Sequence, residues 1–123
     1  MEKSQGCPVQ STIDAVSGKW KVLAIWHLGF KPARFAELRG LLKGVSEKVL
    51  TAQLRQLEAD GIVSRKVVRT SPPQVTYSLT PAGEELLEPM DVLCNWGARH
   101  LGIVPNLPRN PKLDERPAER RTA

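Results

Sequence analysis

Apolar residues recur at helical spacing along most of this chain and alternate at strand spacing near its middle. The spacing of Val9, Ile13 and Val16 predicts a first helix that Pro8 opens and that runs to about Ser17. Gly18 interrupts it. Trp20 to Leu28 is apolar nearly all round, the pattern of a helix central to a core. Gly29 ends that helix, and Lys31-Pro32-Ala33 reads as a short extended link. A third helix is expected from Phe35 to Leu42, with Phe35, Leu38, Leu41 and Leu42 inward and Gly44 behind it.

The run GVSEKVLTAQLRQLEADG carries the clearest helix signals. Ser46 can accept a hydrogen bond from the orphan backbone N–H groups of a first turn. Val45 and Leu50 stand at the positions of a hydrophobic staple. Leu50, Leu54 and Leu57 form a narrow apolar stripe, and Gly61 stops the helix. Opposite the stripe lie Lys48, Thr51, Ala52, Arg55 and Ala59, a small polar face with two cations.

The period then changes from helix to strand. Val75, Tyr77 and Leu79 point one way and Thr76 and Ser78 the other, so Gln74 to Leu79 reads as a half-buried strand. It pairs with Val67-Val68-Arg69 across the tip Thr70-Ser71-Pro72-Pro73. Thr80 caps a fifth helix with Pro81 at its first position, reaching about Leu101. Pro89 inside that helix should kink or divide it. Residues 105–123 hold four of the ten prolines and many charges, and read as a disordered tail behind one domain over residues 7–104. Residues 1–6 read as a flexible N-terminus. The fold class is mainly α with a small β-hairpin.

Charge sharpens this picture. The net charge of +5 favours an anionic partner. Residues 61–80 hold Arg65, Lys66 and Arg69 and no acid, whereas residues 81–104 hold Glu84, Glu85, Glu88 and Asp91 against Arg99. An anion would meet the first surface and avoid the second. No apolar run approaches a membrane span, and Lys19 and Lys21 break the most hydrophobic stretch. The opening MEKSQG lacks the apolar segment of a signal peptide, and two cysteines make no disulfide scaffold, so a reducing cytoplasm is expected. The scattered His and Cys residues outline no metal site, and neither a nucleophile–base pair nor a phosphate loop is visible, so no enzyme and no cofactor are expected.

Helices followed by a two-stranded hairpin is the order of a winged helix-turn-helix. The fourth helix would enter the major groove of double-stranded DNA with its N-terminal residues forward. Lys48, Thr51, Ala52 and Arg55 would read the groove, with Arg55 able to pair both acceptors of a guanine. Ser46 and Arg34 would anchor phosphate. Arg65, Lys66, Arg69 and Gln74 would belong to the wing, whose prolines stiffen a loop without a core of its own.

The sequence resembles the HxlR-type regulators, a bacterial winged-helix family related to the MarR group. The resemblance rests on CPV at 7–9, GKWKVLAIWHL at 18–28, RFAELRGLLKGVSEKVLTAQLRQLEADGIVSRKV at 34–67, PPQVTYSLTPAG at 72–83 and LCNWG at 93–97. It implies a homodimer that binds an inverted-repeat operator, mostly as a repressor. It also implies pairing through the first and last helices, which here carry Val9, Ile13, Val16, Leu86, Met90, Leu93 and Leu101. One departure falls on the wing. Where the family often has Lys or Arg after the paired prolines, this chain has Gln74, and Arg69 is the nearby cation that could compensate.

Cys7 stands directly before Pro8, at the expected N-cap of the first helix, where partial positive charge stabilises a thiolate. It is a candidate sensor of oxidants or electrophiles, as the resemblance also implies; the other reading is a thiol packed at a dimer interface. Cys94, beside Leu93 and Trp96, reads as a small hydrophobe or as a resolving partner for Cys7. His27 and His100 read as structural, and Trp20, Trp26 and Trp96 as core rather than as an effector cavity. Two further readings stay open: a regulator switched by a small ligand in a dimer cavity, and a winged helix that docks proteins.

Overall fold

A three-stranded antiparallel sheet closes one side of a helical core. The computed structural model describes residues 6–105 and 109–115. Residues 1–5, 106–108 and 116–123, which hold most of the expected flexible N-terminus and much of the expected tail, lie outside the described residues. In chain order the elements are α1 (Pro8–Val16), α2 (Lys19–Leu28), β1 (Ala33–Arg34), α3 (Phe35–Leu41) and α4 (Glu47–Ala59). They continue with β2 (Val63–Val68), β3 (Gln74–Leu79), α5 (Pro81–Glu84), α6 (Leu87–His100) and a 3-10 turn (Pro111–Glu115).

The signals at both ends of α4 work as expected. Ser46 Oγ accepts from the Val49 N–H at 3.1 Å, and Val45 and Leu50 are both buried beside it. At the other end Ile62 N–H donates to Leu57 O at 2.9 Å and Gly61 N–H to Glu58 O at 3.0 Å. Those paired bonds need a left-handed residue after the cap, and Gly61 supplies it with φ 75°. Leu50, Leu54 and Leu57 are fully buried against Ala24, Ile25 and Leu28 of α2, with Leu38 of α3 in the same core. Each such side chain contributes about 1.5–3 kcal/mol through the water it sheds.

The sheet order is β1-β3-β2. The link expected at Lys31-Pro32-Ala33 instead becomes a strand at Ala33–Arg34, because β3 offers its free edge: Ala33 pairs with Tyr77 and Arg34 with Thr76. Strand β2 also starts earlier than the apolar run suggested, with Val63 opposite Leu79. Ala33, Val63, Tyr77 and Leu79 pack on the core, so the sheet's other face turns to solvent.

Three further expectations differ. The fifth helix divides, but before Pro89: α5 ends at Glu84 and α6 begins at Leu87. Pro89 then lies in the first turn of α6, where its missing N–H removes no helical bond. Leu41 is half exposed, since α3 ends there and Leu42 takes the inward place. Trp96 is likewise half exposed on α6, its ring 5.0 Å from that of His100, while Trp26 is buried and Trp20 partly so.

Part of the expected disordered tail docks on the core. Asn110 is fully buried: its Nδ2 donates to Gly29 O at 3.0 Å and its Oδ1 accepts from Lys112 N at 2.9 Å. Leu113 joins the apolar core. Arg109 pairs with the buried Asp91 of α6 at 3.2 Å, and Lys112 with Glu84 at 3.6 Å. Proline and charge dominate the composition of this segment, yet Asn110 and Leu113 reach the core while Arg109 and Lys112 pair at its edge.

Candidate nucleic-acid interface

Burial of Leu50, Leu54 and Leu57 fixes how α4 is rotated, and that rotation decides what it shows to solvent. Lys48, Ala52 and Arg55 are exposed on its far side and Thr51 is half-buried beside them. These four residues, expected to read a groove, therefore do share one outward face, which a helix spacing of three and four requires. Ser46 is exposed at the start of the same helix, its oxygen engaged as the cap while its O–H proton stays available to a phosphate. Ala52 leaves the centre of the face low enough for the backbone to approach a base edge.

A groove beside this helix start collects two cations not singled out from the sequence. Arg39 and Lys43 line it together with Phe35, Gly44 and Ser46. Arg39 Nε donates to Val45 O at 3.3 Å, which ties the end of α3 to the turn before α4. Their signal in the sequence was weak, because charges on a short helix and its following turn are usually only solvated.

The wing residues divide between two faces of the sheet. In an antiparallel ladder directly opposed residues share a face and successive residues alternate. Arg65 opposes Tyr77 and Lys66 opposes Thr76, so Arg65 lies on the core side, beyond the core's edge, and Lys66 on the outer side. Arg34 opposes Thr76 from the other edge and joins the outer face. Gln74 lies diagonally from it, and Arg34 Nη2 donates to Gln74 Oε1 at 2.7 Å. Arg69 follows β2 at the exposed tip, where Thr70 Oγ1 donates to Pro72 O at 2.6 Å. Arg34 also starts α3, its backbone N–H donating to Glu37 Oε1 at 3.0 Å.

The apolar residues expected at a dimer interface divide as well. Val16, Leu86 and Met90 pack partly on the protomer's own core. Val9, Ile13, Leu93 and Leu101 are 55–68% exposed, and α1 buries none of its residues. Cys7 is the exposed N-cap of α1, and its carbonyl accepts from Ser11 N–H at 2.9 Å. Cys94 is exposed on α6 and lines an apolar hollow of about 220 Å³ with Leu93, Gly97, Ile103 and Val104. Burial pushes the His27 imidazole below its usual value of 6.5.

Among the described residues, no group of three or more His, Cys, Asp or Glu could hold a metal ion. No helix among them is long and apolar enough to cross a membrane.

Helices, sheet and outward helix face together define a winged helix-turn-helix transcriptional regulator. The HxlR-like helix-turn-helix family model matches residues 15–104, and the chain belongs to that family. It is 40% identical over 103 residues to the HTH-type transcriptional regulator YtcD of Bacillus subtilis (strain 168), covering 84% of this chain and 82% of that one. Among solved structures it resembles the redox regulator HypR in its oxidized form, with a TM-score of 0.70 and 41% identity over 76% of this chain and 97% of HypR. It also resembles the diamide-treated YodB of B. subtilis, with a TM-score of 0.68 and 30% identity over 79% of this chain and 97% of YodB. A second relative, YdeP of the same organism, 37% identical over 112 residues, is likewise named an HTH-type transcriptional regulator.

Proposed function

We propose that this regulator binds an inverted-repeat operator as a homodimer and represses transcription until Cys7 is oxidised or alkylated. The observation that carries the DNA part is the outward face of α4, where Lys48, Thr51, Ala52 and Arg55 stand together over a buried leucine stripe. Arg55 supplies the forked donor that a guanine's O6 and N7 accept. Lys48, Ser46 and Arg34 hold phosphates, and Lys66 and Arg69 extend the contact along the backbone through the wing. The homodimer is supported by the apolar residues of α1 and α6 that the described residues leave exposed. The exposed thiol at the start of α1, and the likeness to proteins described as a redox regulator and as diamide-treated, support the switch. Cys7 lies before the stretch matched by the family model, residues 15–104.

The test is fluorescence anisotropy on the duplex upstream of the chain's own gene, over a salt series, before and after mild oxidation. Arg55→Ala should lose about 1–3 kcal/mol of discrimination between operator and unrelated duplex. Lys66→Ala should weaken both and lower the salt slope by about 1. Oxidation should release the parent but not Cys7→Ser. An Arg55→Ala protein that discriminates as the parent does would count against the assignment of that helix face. The hollow beside Cys94 favours a second reading, release by a small apolar ligand. On that reading Cys7→Ser would still respond to inducer.

A further inference from the structure

Gln74 directly follows the paired prolines of the wing, and the structure gives this neutral side chain a definite partner. The register aligns Lys66 on β2, Thr76 on β3 and Arg34 on β1 as one row across the sheet. The row lies on the face turned away from Ala33, Tyr77 and the core. Adjacent strands are about 4.8 Å apart, so a hydroxyl sits between two cations that are two strands from each other. Gln74, two residues before Thr76 on the same strand, accepts the 2.7 Å hydrogen bond from Arg34 Nη2.

We propose that Arg34, Thr76 and Lys66 form a phosphate-binding row across the wing sheet, and that Gln74 is the positioning residue that aims Arg34 into it. The inference rests on the DNA-binding reading and adds Thr76 to the contact surface. Three features of the chemistry support it. The amide engages one of the five guanidinium donors and leaves the rest for an anion. Being neutral, it aligns the guanidinium without cancelling its charge; among the described residues neither Arg34 nor Lys66 forms an ion pair. A long side chain held in place before the partner arrives loses less rotamer freedom on binding. The Glu37 carboxylate near Arg34 is turned to the backbone N–H that starts α3. Both partners of the Arg34–Gln74 bond are at the surface, where such a bond adds little to folding. Its effect therefore belongs to the bound state.

The experiment is a double-mutant cycle on a labelled duplex of arbitrary sequence, because a phosphate row is indifferent to bases. Affinities of the parent, Gln74→Ala, Arg34→Ala and the double variant are measured across a salt series. Gln74→Ala should weaken binding roughly three- to tenfold in the parent and leave it unchanged when Arg34 is already alanine. Gln74→Glu should weaken it more, since a carboxylate would neutralise Arg34. Arg34→Ala should lower the salt slope by about 0.9, the value of one lost phosphate contact. Thr76→Val should reduce affinity with the slope kept. Equal costs of Gln74→Ala in both backgrounds would overturn the inference alone. A parent that binds no duplex would overturn the DNA-binding reading and this inference with it. Thermal melts of all variants should coincide with the parent's, which separates positioning from folding.

Discussion

His27 shows how one partly buried side chain links stability to acidity. Its imidazole is held below the usual histidine value by burial, so the folded chain resists a proton that the unfolded chain accepts near 6.5. Stability is therefore complete above that value and falls as the pH drops through it. Thermal unfolding should have a lower midpoint at about pH 5.5 than at about pH 7.5. In His27→Gln the part of that difference due to this residue should vanish. A midpoint difference identical in parent and variant would assign the effect to other groups. His27 was legible as a structural residue, since it ends an apolar helix. The direction of its shift was not, because only the packed chain shows that the ring is taken out of water. The Arg34–Gln74 bond was hidden for a similar reason: forty residues separate the partners, and only strand register makes them neighbours.

Elements with their own stop and start signals were readable from the sequence. The cap, staple and glycine of α4 placed it closely, as did the proline and N-cap position of α1. Strand β1 was not readable, because two residues after a proline carry no period of their own and become a strand only when β3 offers its edge. The short α5 shows what a local motif can contain beyond its capping signal. Thr80 Oγ1 accepts from Gly83 N–H at 3.0 Å and donates to Gly61 O at 2.6 Å, so it joins the start of α5 to the end of α4. Gly83 is buried, and a Cβ built on it would overlap the Ile62 carbonyl oxygen. That oxygen is backbone and also accepts from Thr80 N–H at 3.0 Å, so it cannot easily move away. Gly83→Ala should thus cost about 2–3 kcal/mol of stability, measured by urea unfolding. An alanine variant as stable as the parent would mean that α5 can shift freely off the strand.

For the whole molecule, the proposed dimer and the proposed DNA interface use different surfaces. The core joins them: α2 and α4 pack together, while α1 and the outer side of α6 leave apolar side chains in water. Ile13→Asp and Leu93→Asp should shift sedimentation from dimer to monomer with the protomer fold retained, since neither side chain belongs to the core. Operator affinity should fall with the dimer, because two half-sites are then no longer read as one unit. A parent that sediments as a monomer at micromolar concentration would argue against pairing through these helices. The surface was legible as two amphipathic helices. Which of their residues face outward was not, because Val16, Leu86 and Met90 follow the same spacing yet turn to the protomer's own core.

The bond from Asn110 to the carbonyl of Gly29 spans 81 positions along the chain. The segment that supplies it, residues 109–115, follows all the helices and strands of the core. Asn110, Leu113 and the Arg109–Asp91 pair hold that segment against the rest of the chain. A chain cut before residue 109 would keep α4 and the sheet but leave the far end of α2 unlatched. Such a truncated chain should have its core near Gly29 and Leu87 more open to solvent and to proteases than the full chain.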